Sequence, residues 1–395
     1  MPTLLLRKAR SAVRLAAAPI KAAQLRKEKA PLYTALHSNL DPEVHVKEAA
    51  DWFCRAQDAG SDRGISYGCV FGEGFLTSYP ETTGYIICTL LDLADYYGQP
   101  DYIRRAVEAG AWETTVQLPS GSAGIYLSPP DPKPAVFDTG MVLLGWSALY
   151  RRNPSEEIRR AAEKASDWLV EIQDPSGHWT KGNDHGYADP RTTLYNVKSA
   201  WGLAEAGIAL DRKAYIDAAV RNAQYTVSRQ LPNGWYEDCC LTDATKPLLH
   251  TIAYAMQGLL GIGKITGRKE FIQASARTAD SLIQLMDAEG FLPGQIDRNF
   301  RGTVPWCCLT GTAQTSIVWS ELEAITGNVA YGKAAELANR YLMARHDISS
   351  TDPSIRGGLA GSWPVWGDYG QYRILNWATK FLADALLLRM RKHGR

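Results

Sequence analysis

The stretch PSEEIRRAAEKASDWLVEIQDPSGHW (154–179) decides how the chain is read. Its apolar positions, Ile158, Ala162, Ala165, Trp168, Leu169 and Ile172, form one stripe at helical spacing, with charge on the other faces. A helix of that pattern is half exposed. It runs to Gln173, and a Gly follows four residues later in QDPSGHW (173–179). Other segments have no polar face at all: MVLLGWSALY (141–150) and IAYAMQGLLGIG (252–263) are apolar all round, which calls for burial on every side.

The two kinds of segment alternate along the chain. Amphipathic helices are expected from near Asp41, Pro100, Pro154, Asp211, Arg268 and Asn328. Apolar helices are expected from near Tyr79, Phe137, Thr193, His250, Thr310 and Arg373, at a period of about 57 residues. Gln57, Gln117, Gln173, Gln230 and Gln284 end five of the amphipathic helices, each with a Gly after it, as in QLPNGWY (230–236) and QLMDAEGF (284–291). Six helical hairpins with buried second helices predict an all-α (α/α)6 toroid, one ring of helices inside another. An open solenoid is the alternative, but it leaves the inner helices a wet side that their sequences lack.

The Gln-xxx-Gly-aromatic repeat resembles that of squalene cyclases and protein prenyltransferase β-subunits. The hairpin architecture is similar to the toroids of glycan lyases, hydrolases and epimerases. The likeness covers the hairpin region as architecture but only the short motif as sequence, and function resides in the site rather than in the fold.

Composition narrows the field. Among 395 residues, 43 Lys and Arg face 42 Asp and Glu, a net charge of +1 that argues against a general nucleic-acid binder. Hydrophobic residues at 45% and charged residues at 22% are those of an ordinary globular protein. The 12 Trp and 19 Tyr against 8 Phe point to a large wet aromatic surface. Seven cysteines, four of them in the adjacent pairs Cys239–Cys240 and Cys307–Cys308, do not form a secreted disulfide framework. With neither a signal-peptide core nor a membrane span in the sequence, the expected location is cytoplasmic. Residues 1–35 read as a basic amphipathic arm, with Arg7, Lys8, Arg10, Arg14 and Lys21 suited to anionic lipid at the inner membrane surface, or else as a solvated tail. Residues 36–395 read as the toroid.

The loops leading into the apolar helices are long and the return turns are short, so chemistry is expected at the mouth where the inner helices begin. Helix N-termini gathered there favour anionic ligands. Trp179, Trp235, Trp306, Trp363 and Trp366, with Tyr126 and Tyr187, are candidate surfaces for sugar rings; Asp184 adds to the charge there. The Asp-x-Asp-Asp and Asp-Asp-x-x-Asp motifs of terpene chemistry are missing. PETTGY (80–85) places Glu81 at an inner-helix start, and FDTGM (137–141) places Asp138 at the equivalent point, as an N-cap or a catalyst. LHTIAY (249–254) places His250 there with Tyr254 a turn below, while YNVKSAW (195–201) adds Tyr195, Asn196 and Lys198.

Resemblance to toroidal polysaccharide lyases implies Asn196, Lys198 and Arg301 as groups that bind or neutralise a uronate carboxylate. In that scheme His250 is the base and Tyr195 or Tyr254 the acid. Hydrolysis by two carboxylates, Glu81 and Asp138, is the other route to the same substrates. Cys240, His250 and Cys308 have the residue types of a zinc site with an open position. That arrangement resembles lanthionine cyclases, while Asp238, Cys240 and His250 resemble the ligand types of prenyltransferase β-subunits; buried inert thiols are the alternative. Three functions follow: an enzyme acting on a uronate-containing poly- or oligosaccharide without a cofactor, a zinc-dependent or cyclase-like toroid acting on a prenyl, peptide or thiol substrate, and a non-catalytic glycan-binding toroid.

Overall fold

The computed structural model describes Lys27 and residues 36–125, 132–183, 188–241 and 243–393. The expected arm, Lys27 apart, lies outside the described residues, as do Tyr126, Asp184 and Tyr187. Twelve α-helices form six consecutive hairpins among the described residues. These are α1 (Pro42–Asp58) with α2 (Pro80–Tyr97), α3 (Pro100–Val116) with α4 (Val136–Arg152), and α5 (Glu156–Glu171) with α6 (Val197–Ala209). Then follow α7 (Lys213–Ser228) with α8 (Leu249–Thr266), α9 (Lys269–Leu285) with α10 (Leu309–Thr326), and α11 (Val329–Met343) with α12 (Asn376–His393).

Each even-numbered helix packs on the next, and α12 returns to α2, so the inner ring is closed and the solenoid alternative is out. Several bonds tie the ends together. The Asn376 amide donates to the Ser66 carbonyl at 2.9 Å and to Thr82 Oγ1 at 2.8 Å, and Thr89 Oγ1 donates to Asp384 Oδ1 at 2.7 Å. Short strands lie in the mouth loops: β1 (Gly68–Val70), β2 (Gly74–Phe75), β3 (Gly124–Ile125), β4 (Lys133–Pro134), β5 (Cys307–Cys308), β6 (Ser362–Trp363) and β7 (Arg373–Leu375). Antiparallel pairing of β1 with β7, Gly68 opposite Leu375, joins the first mouth loop to the last.

The repeat motif joins neighbouring outer helices. Gln173 Nε2 donates to the Gly177 carbonyl at 3.0 Å and to the Ala218 carbonyl on α7 at 2.9 Å. Gln117 and Gln230 do the same toward α5 and α9. Gly177 has φ of +91°, and a Cβ there would lie 2.5 Å from the Arg221 carbonyl oxygen, so the motif requires glycine. Gln284 does not belong to the series. It is exposed inside α9, and Met286 stands four residues before Gly290, the position that Gln117, Gln173 and Gln230 occupy before their glycines. No described helix is long and apolar enough to cross a membrane.

Candidate functional site

Inner helices α2 and α4 touch backbone to backbone because neither carries a side chain at the contact. A Cβ on Gly84 would stand 2.5 Å from Val142 Cα, and one on Gly145 would stand 2.1 Å from the Gly84 carbonyl oxygen. This approach sets Glu81, in the first turn of α2, beside Asp138, in the first turn of α4. Pro80 opens α2, where its fixed φ and missing N–H cost least. Asp138 is not an N-cap: Ala135 occupies that position, and the Asp138 side chain turns into the protein, 3% exposed, to accept from Tyr79 Oη at 2.9 Å.

Burial raises Asp138 to about 7, against the opposing hydrogen bond from Tyr79. Glu81 is raised well above the usual carboxylate range by burial and then by the Asp138 charge. Glu113, buried on outer helix α3, is raised by burial and again by Asp138, and its Oε1 has no hydrogen-bond partner. Asp138 is thus the first of the three to ionise, and its charge holds the other two neutral.

Tyr85, one turn below Glu81, is raised well above its ordinary value by burial and then by the neighbouring Tyr254 and Glu81. The Tyr254 ring lies 4.2 Å from His250 and 4.7 Å from Phe137, which meets Tyr195 at 5.4 Å. Tyr369, carried on the last mouth loop, comes within 5.1 Å of His250. The two candidate sets, the carboxyl pair and the His–Tyr group, are therefore parts of one continuous site. Burial, with a contribution from Lys198, lowers His250 to about 3, so its imidazole is neutral. Its Nδ1 lies 2.7 Å from Gln314 Oε1. Gly311 makes that contact attainable: a Cβ there would come within 2.7 Å of the His250 backbone nitrogen.

Other expectations are corrected. Lys198 lies not at the rim but in the second turn below Thr193, after the 3-10 turns Pro190–Thr192 and Leu194–Asn196. It lines a cavity of about 250 Å³ with Cys88, Trp201, Gln257, Lys380 and Asp384. Asn196 is buried, and its amide donates to Asn183 Oδ1 at 3.3 Å, which anchors the loop. Arg301 is exposed on the 286–308 loop. Trp179, Trp235 and Trp306 are buried in loop packing, Trp179 donating to the Leu169 carbonyl at 2.8 Å, because the repeat turns their rings inward. Trp363 is half-buried beside Arg345, and Trp366 is 45% exposed.

Cys240, His250 and Cys308 do not form a metal site: among the described residues no group of three or more His, Cys, Asp or Glu side chains is placed to hold a metal. The thiols are instead engaged locally. Cys239 donates to the Thr251 carbonyl at 3.3 Å, Cys308 Sγ accepts from the Gly311 N–H at 3.4 Å, and burial pushes Cys307 up to about 11.

Sequence reasoning passed over Tyr85, Glu113, Gln257 and Gln314. Two of these had a legible signal. With Lys198, Gln257 and Gln314 are polar residues in apolar helices, 59 and 57 residues apart, about one repeat each. Glu113 had none, since an acid on an amphipathic outer helix reads as solvated.

No family model and no curated protein sequence matches the chain. Solved structures match in shape. The chain is similar to an unsaturated glucuronyl hydrolase specific for heparin, with a TM-score of 0.70 and 16% identity over 89% of this chain and 97% of that one. It is similar to cellobiose 2-epimerase from Bacillus thermoamylovorans, with a TM-score of 0.69 and 10% identity over 86% and 96%. A polysaccharide lyase matches with a TM-score of 0.58 and 12% identity over 80% and 91%. These likenesses show the (α/α)6 toroid expected from the repeats.

Proposed function

We propose that this toroid is a carbohydrate-active enzyme that hydrolyses a uronate-containing oligosaccharide at its mouth, with Glu81 and Asp138 as the reacting carboxyl groups. The observation that carries the reading is the pair itself: two carboxyls of neighbouring inner helices, one at about 7 and the other held protonated by it. Paired groups whose environments separate their acidities divide into an acid and a base. Asp138, once ionised, takes a proton from the attacking water, and Glu81 gives its proton to the departing glycosidic oxygen as the C–O bond breaks. With Glu81 and Glu113 neutral, Asp138 is the one of the three acids that becomes charged, and the gathered helix N-termini attract a substrate carboxylate. The shape match to an unsaturated glucuronyl hydrolase supports the same substrate class.

A second reading is proton abstraction by His250, as in epimerisation or elimination. It is favoured by the neutral imidazole with Tyr254 beside it.

One experiment separates these readings. Oligosaccharides ending in a saturated or an unsaturated glucuronyl residue are incubated with the protein and the products weighed by mass spectrometry. Two fragments that together gain one water support hydrolysis, with Glu81→Gln and Asp138→Asn inactive. A product of unchanged mass, or one carrying a new double bond, lost in His250→Ala, moves the assignment to the second reading. Binding without turnover leaves the toroid a glycan-binding protein and overturns both.

A further inference from the structure

Behind the mouth, three successive inner helices each carry one polar side chain into the ring: Lys198 on α6, Gln257 on α8 and Gln314 on α10. All three are buried, and they form a chain ending at His250. Lys198 Nζ donates to Gln257 Oε1 at 3.1 Å, Gln314 Nε2 donates to the same oxygen at 3.2 Å, and Gln314 Oε1 meets His250 Nδ1 at 2.7 Å. We infer that Lys198 is a positioning residue that, through Gln257 and Gln314, sets which nitrogen of His250 bears the proton. The inference deepens the reading of His250 as a base.

The Lys198 nitrogen donates to Gln257, which therefore faces it with oxygen. That oxygen also takes the Gln314 amide, which turns the Gln314 oxygen toward His250. An oxygen at 2.7 Å from the Nδ1 of a neutral imidazole requires the proton on Nδ1 and leaves the lone pair on Nε2. Each amide flip is thereby excluded from one end, and the chain has one polarity. Burial, and then the charge of Lys380, lowers Lys198 well below its ordinary value, while the carboxylates of Asp384 and Glu321 act the other way; the Trp201 ring face lies 4.1 Å from Nζ, and those of Tyr254 and Phe381 lie at 6.0 and 5.9 Å. The other basic groups around the cavity are taken by acids: Arg151 by Glu205, Arg391 by Asp92 and Lys380 by Asp384. Among the described residues Lys198 has no ion-pair partner, and its hydrogen bond goes to the Gln257 amide.

The test reads the tautomer directly in the free protein, so it stands or falls apart from any substrate. Histidine labelled with 15N is incorporated, and His250 is assigned by its loss in His250→Ala. The expected result is an Nδ1–H imidazole in the wild type, a shift to the Nε2–H form or a mixture in Lys198→Met and Gln257→Leu, and retention of Nδ1–H in Gln257→Glu, whose carboxylate still accepts from both neighbours. Should Lys198→Met fail to fold, the contrast between Gln257→Leu and Gln257→Glu carries the same information. An Nε2–H imidazole in the wild type overturns the inference. So does an unchanged Nδ1–H signal in the folded Lys198→Met or Gln257→Leu protein. If the tautomer follows Lys198 but no substrate is turned over, the positioning holds and the catalytic reading of His250 fails.

Discussion

Asp138 and Glu81 are removed from the ordinary carboxylate range by burial, and Tyr79 limits the shift for Asp138 alone. Removing the Tyr79 hydroxyl takes away a donor that favours the charged carboxylate, so Tyr79→Phe should move the acid limb of the pH–rate profile to higher pH, measured as kcat/KM against pH. In the wild type that limb should sit near the Asp138 value of about 7, with activity falling again at higher pH as Glu81 loses its proton. Asp138→Asn and Glu81→Gln should each lower kcat by on the order of a hundredfold or more. Glu113→Gln should be nearly silent, because Glu113 is already held neutral and the amide keeps its shape. These residues show where sequence reading stops. Glu81 and Asp138 were legible as acids at helix starts. That they face each other depends on the glycine contact between α2 and α4, and the part played by Glu113 depends on burial that an outer-helix pattern hides.

At the scale of the element, the Gln–Gly motif explains the repeat physically. A glutamine at the end of one outer helix satisfies a carbonyl of its own loop and one on the next outer helix, while the glycine lets the loop lie against that helix. Gln173→Ala should leave those two carbonyls without the amide and cost about 1–3 kcal/mol. Gly177→Ala should cost at least about 1–3 kcal/mol, from its positive φ before the clash with Arg221 is added. Both are read from urea unfolding, with circular dichroism to show that the helices persist. Local periodicity made these helices legible, and the same periodicity misplaced Gln284, because the eye follows residue type where the structure follows spacing to the glycine. The tryptophans failed for a related reason: Trp179, Trp235 and Trp306 are mouth-loop residues in sequence, yet the loops fold back and use the rings as core.

Across the whole molecule, closure of the ring carries a pH signature. His45 on α1 and His346 after α11 are buried, their Nδ1 atoms 2.9 Å apart, and they join the first outer helix to the last. Burial lowers these two and His250 below 6.5, so the unfolded chain binds protons that the fold refuses, and this contribution to stability is lost as pH falls below 6.5. The raised acids act in the opposite sense. Asp138 keeps in the fold a proton that the unfolded chain has released, so its contribution is present at low pH and lost as pH rises through about 7. The gain in Tm of Asp138→Asn over the wild type should therefore be larger near about pH 8 than near about pH 4, as differential scanning calorimetry will show. The sequence alone determined the helices, their pairing into six hairpins, the closed double ring and the end of the ring where acids and histidine gather, because periodicity and burial pattern are properties of short segments. Only the tertiary structure decided that the carboxyl pair and His250 belong to one site, that Lys198 stands behind it, and that the described cysteines and His250 are not grouped to hold a metal. Those facts depend on which helices touch and at what depth, and the glycines that set the depth carry no side chain to announce it.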